Sequence, residues 1–226
     1  MAALSQGELL HHAVRDGVRS AHELLDDYVH MARAALALHE ATGDPEPLSR
    51  CDAWLERARA RFREDDGAWR QTPRDSRELP VALRGAADGP VPAGVGLLPE
   101  VLARRALLAD APRWLAGEAE SVLRRYGGDA RRAPLAHATL LASFMFVREP
   151  VQVRIFGEGG AAMELLAVAE RCAPYPAQVF HVKRGAEPSA PEVGAVICRG
   201  PVCGMPLVDA DALRGELRAL DATGRA

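Results

Sequence analysis

The sequence predicts a mainly α fold, built of antiparallel helical hairpins and closed by a small C-terminal α/β element. Over the first two thirds, apolar residues recur at spacings of three and four, broken by Gly and Pro. After Pro150 the pattern switches to alternation at period two, punctuated by glycines. A length of 226 residues with 48% hydrophobic content allows one large or two small domains with a substantial core. Only 5% of residues are aromatic, so Leu, Val and Ala must fill most of that core.

Residues 22–41 place Leu25, Tyr28, Val29, Ala32, Leu36 and Leu38 mostly on one helical stripe, and Gly43 with Pro45 supplies the stop. A second helix is expected from Pro47 to Phe62, carrying Leu48, Cys51, Trp54, Leu55, Ala58 and Phe62 at the same spacing. The two form a hairpin. A polar, Gly/Pro-containing stretch then runs from Glu64 to Gly96, and a connection of that length is more often functional than incidental. Helical patterns resume at Leu97–Leu108, Arg113–Tyr126 and Pro134–Val147. Beyond them, Val151–Ile155, Gln178–Val182 and Gly194–Cys198 read as short strands, with helices at Ala161–Cys172 and Asp209–Leu220. The expected division is residues 1–149 as the helical-hairpin region and 150–226 as the α/β element packed on it.

Charge and targeting signals bound the function. Lys+Arg 28 against Asp+Glu 31 gives a formal net charge of −3, so the whole chain offers no electrostatic case for nucleic acid or an anionic membrane. The N-terminal MAALSQGELLHHAVRDG lacks the basic and apolar regions of a signal peptide, and no apolar run is long enough to span a bilayer. A cytoplasmic protein is expected.

Four stretches occur in order: LLDDYVHMARAALALHEATGD, FREDDGAWRQT, DGPVPAGVG and AVICRGPVCGMPLVDADALRGEL. Through them, residues from about 22 to 220 resemble the C-terminal portion of the thioredoxin-domain-containing (YyaL-like, spermatogenesis-associated) family. The resemblance implies a partial α/α toroid, similar to the six-hairpin glycosidases and to N-acylglucosamine 2-epimerase. The family's N-terminal thioredoxin-like domain and earlier hairpins have no counterpart in the 226 residues. A partner or self-association completing the toroid is therefore expected.

The family's third stretch reads D-G-A-x-P-S-G-N-S, whereas this chain holds Ala93, Val95 and Gly96 where Ser, Asn and Ser would stand. Three hydrogen-bonding side chains are replaced, which implies a degenerate polar pocket. FREDDGAWRQT departs likewise from the family's G-G-F-F-D-T, keeping Gly67 and Thr72 and placing Trp69 among the aromatics. Two functions follow. One is a truncated, six-hairpin-glycosidase-like binding or interaction module. The other is an epimerase, isomerase or hydrolase of small polar or carbohydrate-like substrates, working by acid/base carboxylates in a toroid cavity.

For the second, Asp26, Asp27 and Tyr28 are the candidate catalytic residues, with Trp69, Thr72, Asp88 and Gly94 as candidate substrate-binding positions. A carboxylate desolvated beside Tyr28 or a histidine would have the shifted pKa that acid/base work needs. The competing reading is structural, because acidic residues in a first helical turn favour the macrodipole. His30 and His137 are weaker candidates, and His22, His30 and His39 lack the i, i+4 spacing of metal ligands. No metal or cofactor is expected. Gly157-Glu158-Gly159-Gly160 imitates a phosphate-binding turn but lacks the Lys and Ser/Thr of a P-loop, so it reads as a strand-to-helix turn.

Cys198 and Cys203 stand five residues apart, about 17 Å if extended, against a limit of about 7 Å between the Cα atoms of a disulfide. They could bridge only if Gly200-Pro201 folded the chain back tightly. Packing around that turn is the expectation, with an occasional disulfide or half of a zinc site as alternatives.

Overall fold

A computed structural model of the chain describes residues 5–6, 9–20, 23–76, 81–182 and 191–223. His22 and part of the Glu64–Gly96 stretch, residues 77–80, lie outside the described residues. Among the described residues the protein is mainly helical, with one small sheet and two short hairpins. Two compact units divide it: Met1–Leu36 with Pro45–Val147, and Ala37–Asp44 with Arg148–Ala226.

In the first unit, helix α1 (Leu25–Thr42) as far as Leu36, α2 (Glu46–Phe62), α3 (Gly94–Ala106), α4 (Trp114–Arg132) and α5 (Ala138–Arg148) as far as Val147 supply the framework. Strands β1 (Ser5–Gln6) and β2 (Leu9–Leu10) pair, as do β3 (Ala13–Arg15) and β4 (Val18–Ser20). Asp16 and Gly17 make the β3–β4 turn at φ 51° and 76°, which is the backbone that an Asp-Gly pair favours in a two-residue hairpin. The core joins Leu25, Tyr28, Val29, Ala32 and Leu36 of α1 to Cys51, Leu55, Ala58 and Phe62 of α2. It continues through Leu98, Val101 and Leu102 of α3 to Leu115, Val122 and Tyr126 of α4.

Several boundaries differ from the sequence expectation: α1 starts at Leu25, and α5 starts at Ala138 after a 3₁₀ turn over Pro134–His137. Helix α3 begins at Gly94 instead of Leu97, so the last three residues of DGPVPAGVG are helical. Helix α4 runs on through Gly127-Gly128 to Arg132, because Ala130 is buried in the same core and Pro134 provides the later stop. Helix α1 ends as expected: Gly43 at φ 64° donates its N–H to the carbonyl of His39 at 2.8 Å, a left-handed C-terminal cap.

Ion pairs fasten the helices where apolar contact does not. Glu100 of α3, 1% exposed, accepts from Arg104 at 2.7 Å and meets Arg33 of α1 at 3.3 Å. Arg105 forks onto Asp52 of α2 through two bonds of 2.8 and 2.9 Å, the bidentate geometry that guanidinium favours.

In the second unit, β5 (Val151–Phe156), α6 (Gly160–Cys172), β6 (Gln178–Val182), β7 (Gly194–Arg199), β8 (Val202–Cys203) and α7 (Ala210–Thr223) follow in order. The sheet order is β6-β5-β7-β8, parallel between β5 and β6 and antiparallel elsewhere. Val153 and Ile155 alternate onto one face and pack with Leu165, Val168 and Ala169 of α6 and with Leu213 and Leu217 of α7. Gly157 and Gly159, at φ 98° and 81°, make the turn from β5 into α6.

The second unit also overturns the packing expectation for Cys198 and Cys203. They are disulfide-bonded, with Cα atoms 3.9 Å apart. Gly200 at φ 55° turns the chain so that β8 folds back on β7 and Cys198 faces Cys203 across the ladder. The extended span does not apply because the intervening residues form a hairpin turn.

Candidate functional site

The sequence-derived site residues all lie in the first unit, and the structure gives each a definite partner or place. Asp26 is the second residue of α1, and its Oδ1 accepts the backbone N–H of Gly94 at 2.9 Å. It thereby caps α3 from a different helix, satisfying one of the donors left open at a helix start. A Cβ on Gly94 would stand 2.4 Å from that same oxygen and 3.0 Å from the Cα of Asp26, so only glycine allows this approach. Asp27, the third residue of α1, turns back to accept the N–H of Leu24 at 2.9 Å, half of a capping box, and pairs with Nδ1 of His12 at 2.9 Å.

Asp88 organises the loop that precedes α3. Its carboxylate accepts the N–H of Ala93 at 3.0 Å and of Thr139, at the start of α5, at 2.9 Å. Burial opposes its ionisation, but these N–H groups, the Thr139 side chain and the nearby His137 outweigh burial and hold its pKa below the ordinary carboxylate value. His30 donates from Nε2 to the carbonyl of Pro92 at 3.0 Å, pinning the same loop to α1. Asp26, Asp88 and Gly94 are thus brought together, as one set of main-chain anchors.

Tyr28 and Trp69 are core residues. Tyr28 is fully buried; its hydroxyl donates to Glu23 and accepts from the N–H of Leu10 at 3.2 Å and from Nε of Arg57 at 3.1 Å. Burial, reinforced by Glu23, pushes its pKa up to about 12, so the hydroxyl keeps its proton at neutral pH. Trp69 is 1% exposed and donates its indole N–H to Glu118 at 3.1 Å. Its backbone N–H donates to the hydroxyl of Tyr126 at 2.9 Å, while that hydroxyl donates to its carbonyl at 3.2 Å. Thr72 is buried beside them in sequence, one residue after Gln71, whose carbonyl accepts the N–H of Leu25 at 3.0 Å. His137 donates from Nδ1 to the carbonyl of Ala133 at 2.9 Å.

Sequence reasoning missed the most elaborate polar cluster. Glu23, 4% exposed, receives the Tyr28 hydroxyl, Nε of Arg57 at 3.3 Å and Nε of Arg61 at 2.7 Å. Arg57 and Arg61 stand at i, i+4 on α2, a spacing visible in the sequence. A second such cluster joins Glu118 to Arg63 at 2.8 Å and to Trp69. Among the described residues, no group of three or more His, Cys, Asp or Glu side chains is placed to hold a metal ion.

If Asp26 serves α3 as a cap, its side chain matters for stability through its oxygen and not its charge. Asp26→Ala is expected to lower the unfolding free energy by about 1 kcal/mol, and Asp26→Asn by only a few tenths, since Asn and Asp cap comparably. Chemical denaturation of both variants checks this. Compared with known proteins, the sequence matches no protein-family model and no curated protein.

Proposed function

We propose that the chain is a binding or interaction module, six-hairpin-glycosidase-like, that docks through α5. One observation carries this reading. Leu141, Phe144 and Met145 of α5 are 38%, 46% and 53% exposed and fall at i, i+3, i+4, so they share one helical face, while Leu135 just before it is 95% exposed. Isolated exposed apolar residues are ordinary; a row of large ones on a helix marks an interaction surface. A helix of an α/α toroid normally covers such a face with the next hairpin, so a partner or a second copy supplying helices fits the resemblance.

The enzymatic alternative draws less support. Asp26, Asp27 and Asp88 each hold a backbone N–H, and Tyr28 is a proton donor to Glu23 with a strongly raised pKa. Each of these groups is already engaged by another part of the chain, whereas epimerisation or hydrolysis requires an acid or base that faces the substrate. Among the described residues, no helix is long and apolar enough to cross a membrane.

Light scattering coupled to size exclusion, on the protein alone and mixed with helical partners from its own cell, tests the proposal. The expected result is a concentration-dependent complex that Phe144→Glu with Met145→Glu weakens at least about tenfold, as loss of central apolar anchors does. A monomer that forms no complex with either would overturn it.

A further inference from the structure

We infer that the Cys198–Cys203 bridge is a reversible thiol–disulfide exchange site, opened in the folded protein by a dithiol reductant, and that it controls how firmly residues 201–206 are held on the β7 edge.

The placement of the two sulfurs differs. Cys198 is 2% exposed on β7, whereas Cys203 of β8 and its neighbours Val202 and Gly204 are exposed. An attacking thiolate therefore reaches Cys203 from solvent. It forms a mixed disulfide with the Cys203 sulfur and releases Cys198 as a thiolate, which takes up a proton. The second thiol of the reductant then displaces Cys203. The dithiol leaves oxidised by two electrons, and the protein holds two thiols.

The bridge is poorly suited to be a structural staple. Cross-links stabilise most when they close long loops, and this one joins residues separated by only five positions that the hairpin already sets opposite each other. Neither cysteine belongs to the apolar cluster formed by β5, β7, α6 and α7, although Cys198 itself is buried. The sheet on either side of it has its own main-chain anchors, Gly200 N–H to Pro150 at 2.9 Å and the reciprocal Ala195–Leu207 pair at 2.7 and 2.8 Å, whereas between them the Gly204 N–H to Ile197 bond at 2.9 Å lies next to the bridge and depends on it. Reduction thus leaves the sheet standing and loosens the segment between Gly200 and Leu207. That segment carries Val202 and Met205, 71% and 84% exposed, so its mobility changes what the sheet edge presents.

The test is to equilibrate the full chain with graded mixtures of reduced and oxidised dithiothreitol in native buffer. Alkylation and mass spectrometry report the thiols, and hydrogen exchange reports the backbone. Both cysteines are expected to become alkylated while the circular dichroism is unchanged. Exchange at Gly204 should rise about tenfold or more with Val153 and Ile155 unaffected, the signature of local opening. Cys203→Ser should reproduce that exchange pattern without reductant. Reduction only on global unfolding, free thiols throughout the oxidising mixtures, or unchanged exchange at Gly204 after reduction would each overturn the inference.

Discussion

Replacing Glu23 with alanine is expected to lower the unfolding free energy of the helical unit by about 3 kcal/mol, the low end of what breaking a buried ion pair costs. The carboxylate is 4% exposed and receives three donors, from Tyr28, Arg57 and Arg61. Without it, the buried Tyr28 hydroxyl loses its acceptor and two guanidinium groups lose their shared counter-charge. Both arginine side chains are about one-third exposed, at 30% and 33%, and can turn to water. Arg61 also retains Asp75 at 2.9 Å. These escapes are why the low end applies. Glu23→Gln keeps the shape and one acceptor, so it should cost roughly half as much. A double-mutant cycle with Tyr28→Phe should show coupling of about 1 kcal/mol, because the two residues share one hydrogen bond. Urea unfolding followed by tryptophan fluorescence provides the measurement. A loss below about 0.5 kcal/mol for Glu23→Ala, the scale of an ordinary surface change, would mean that the cluster contributes nothing net.

What the sequence disclosed follows the range of the forces involved. Helices α1 and α2, their stop at Gly43 and Pro45, and strands β5, β6 and β7 were legible because periodicity and turn residues are local properties. The start of α3 was not. Gly94-Val95-Gly96 has poor helix propensity, and the bond that makes it helical comes from Asp26, 68 residues away. The Asp16-Gly17 turn was a local signal that periodicity alone passed over. The approach of Cys198 to Cys203 was not legible, because the Gly200 turn and not the length of the intervening chain determines their distance.

The candidate site divides in the same way. Residue types in LLDDY and DGPVPAGVG suggested chemistry, and the structure does bring Asp26, Asp88 and Gly94 together. A carboxylate's role, however, depends on what faces it. Here the facing groups are the N–H groups of Gly94, Leu24, Ala93 and Thr139, which belong to helix starts and a loop. Glu23 was overlooked because a lone acidic residue ahead of a helix resembles an ordinary first-turn charge; its partners on α2 are more than thirty residues distant in sequence.

The stability of the helical unit should also fall steeply in alkali. The Cys51 thiol is fully buried, and desolvation, aided by the charge of Asp52 and only partly opposed by Arg105, pushes its pKa from 9.0 up to about 12. Tyr28, for which burial and Glu23 act together, rises from 10.0 to about 12. Both groups remain protonated in the folded chain while the unfolded chain ionises, so the folded state binds more protons and stability declines as pH rises. The contribution is intact below pH 9 for Cys51 and below pH 10 for Tyr28, and is lost as pH climbs through about 12. At about 1.4 kcal/mol per pH unit per group, the two together should remove about 4 kcal/mol between about pH 9 and pH 11. Cys51→Ala gives up some packing at every pH but abolishes its share of the slope, leaving a decline of roughly 1 to 2 kcal/mol over the same interval. Denaturant midpoints of the two proteins across that range discriminate directly. Parallel pH profiles would mean that the thiol ionises as readily in the folded chain as in the unfolded one, which its complete burial does not permit unless the core there opens.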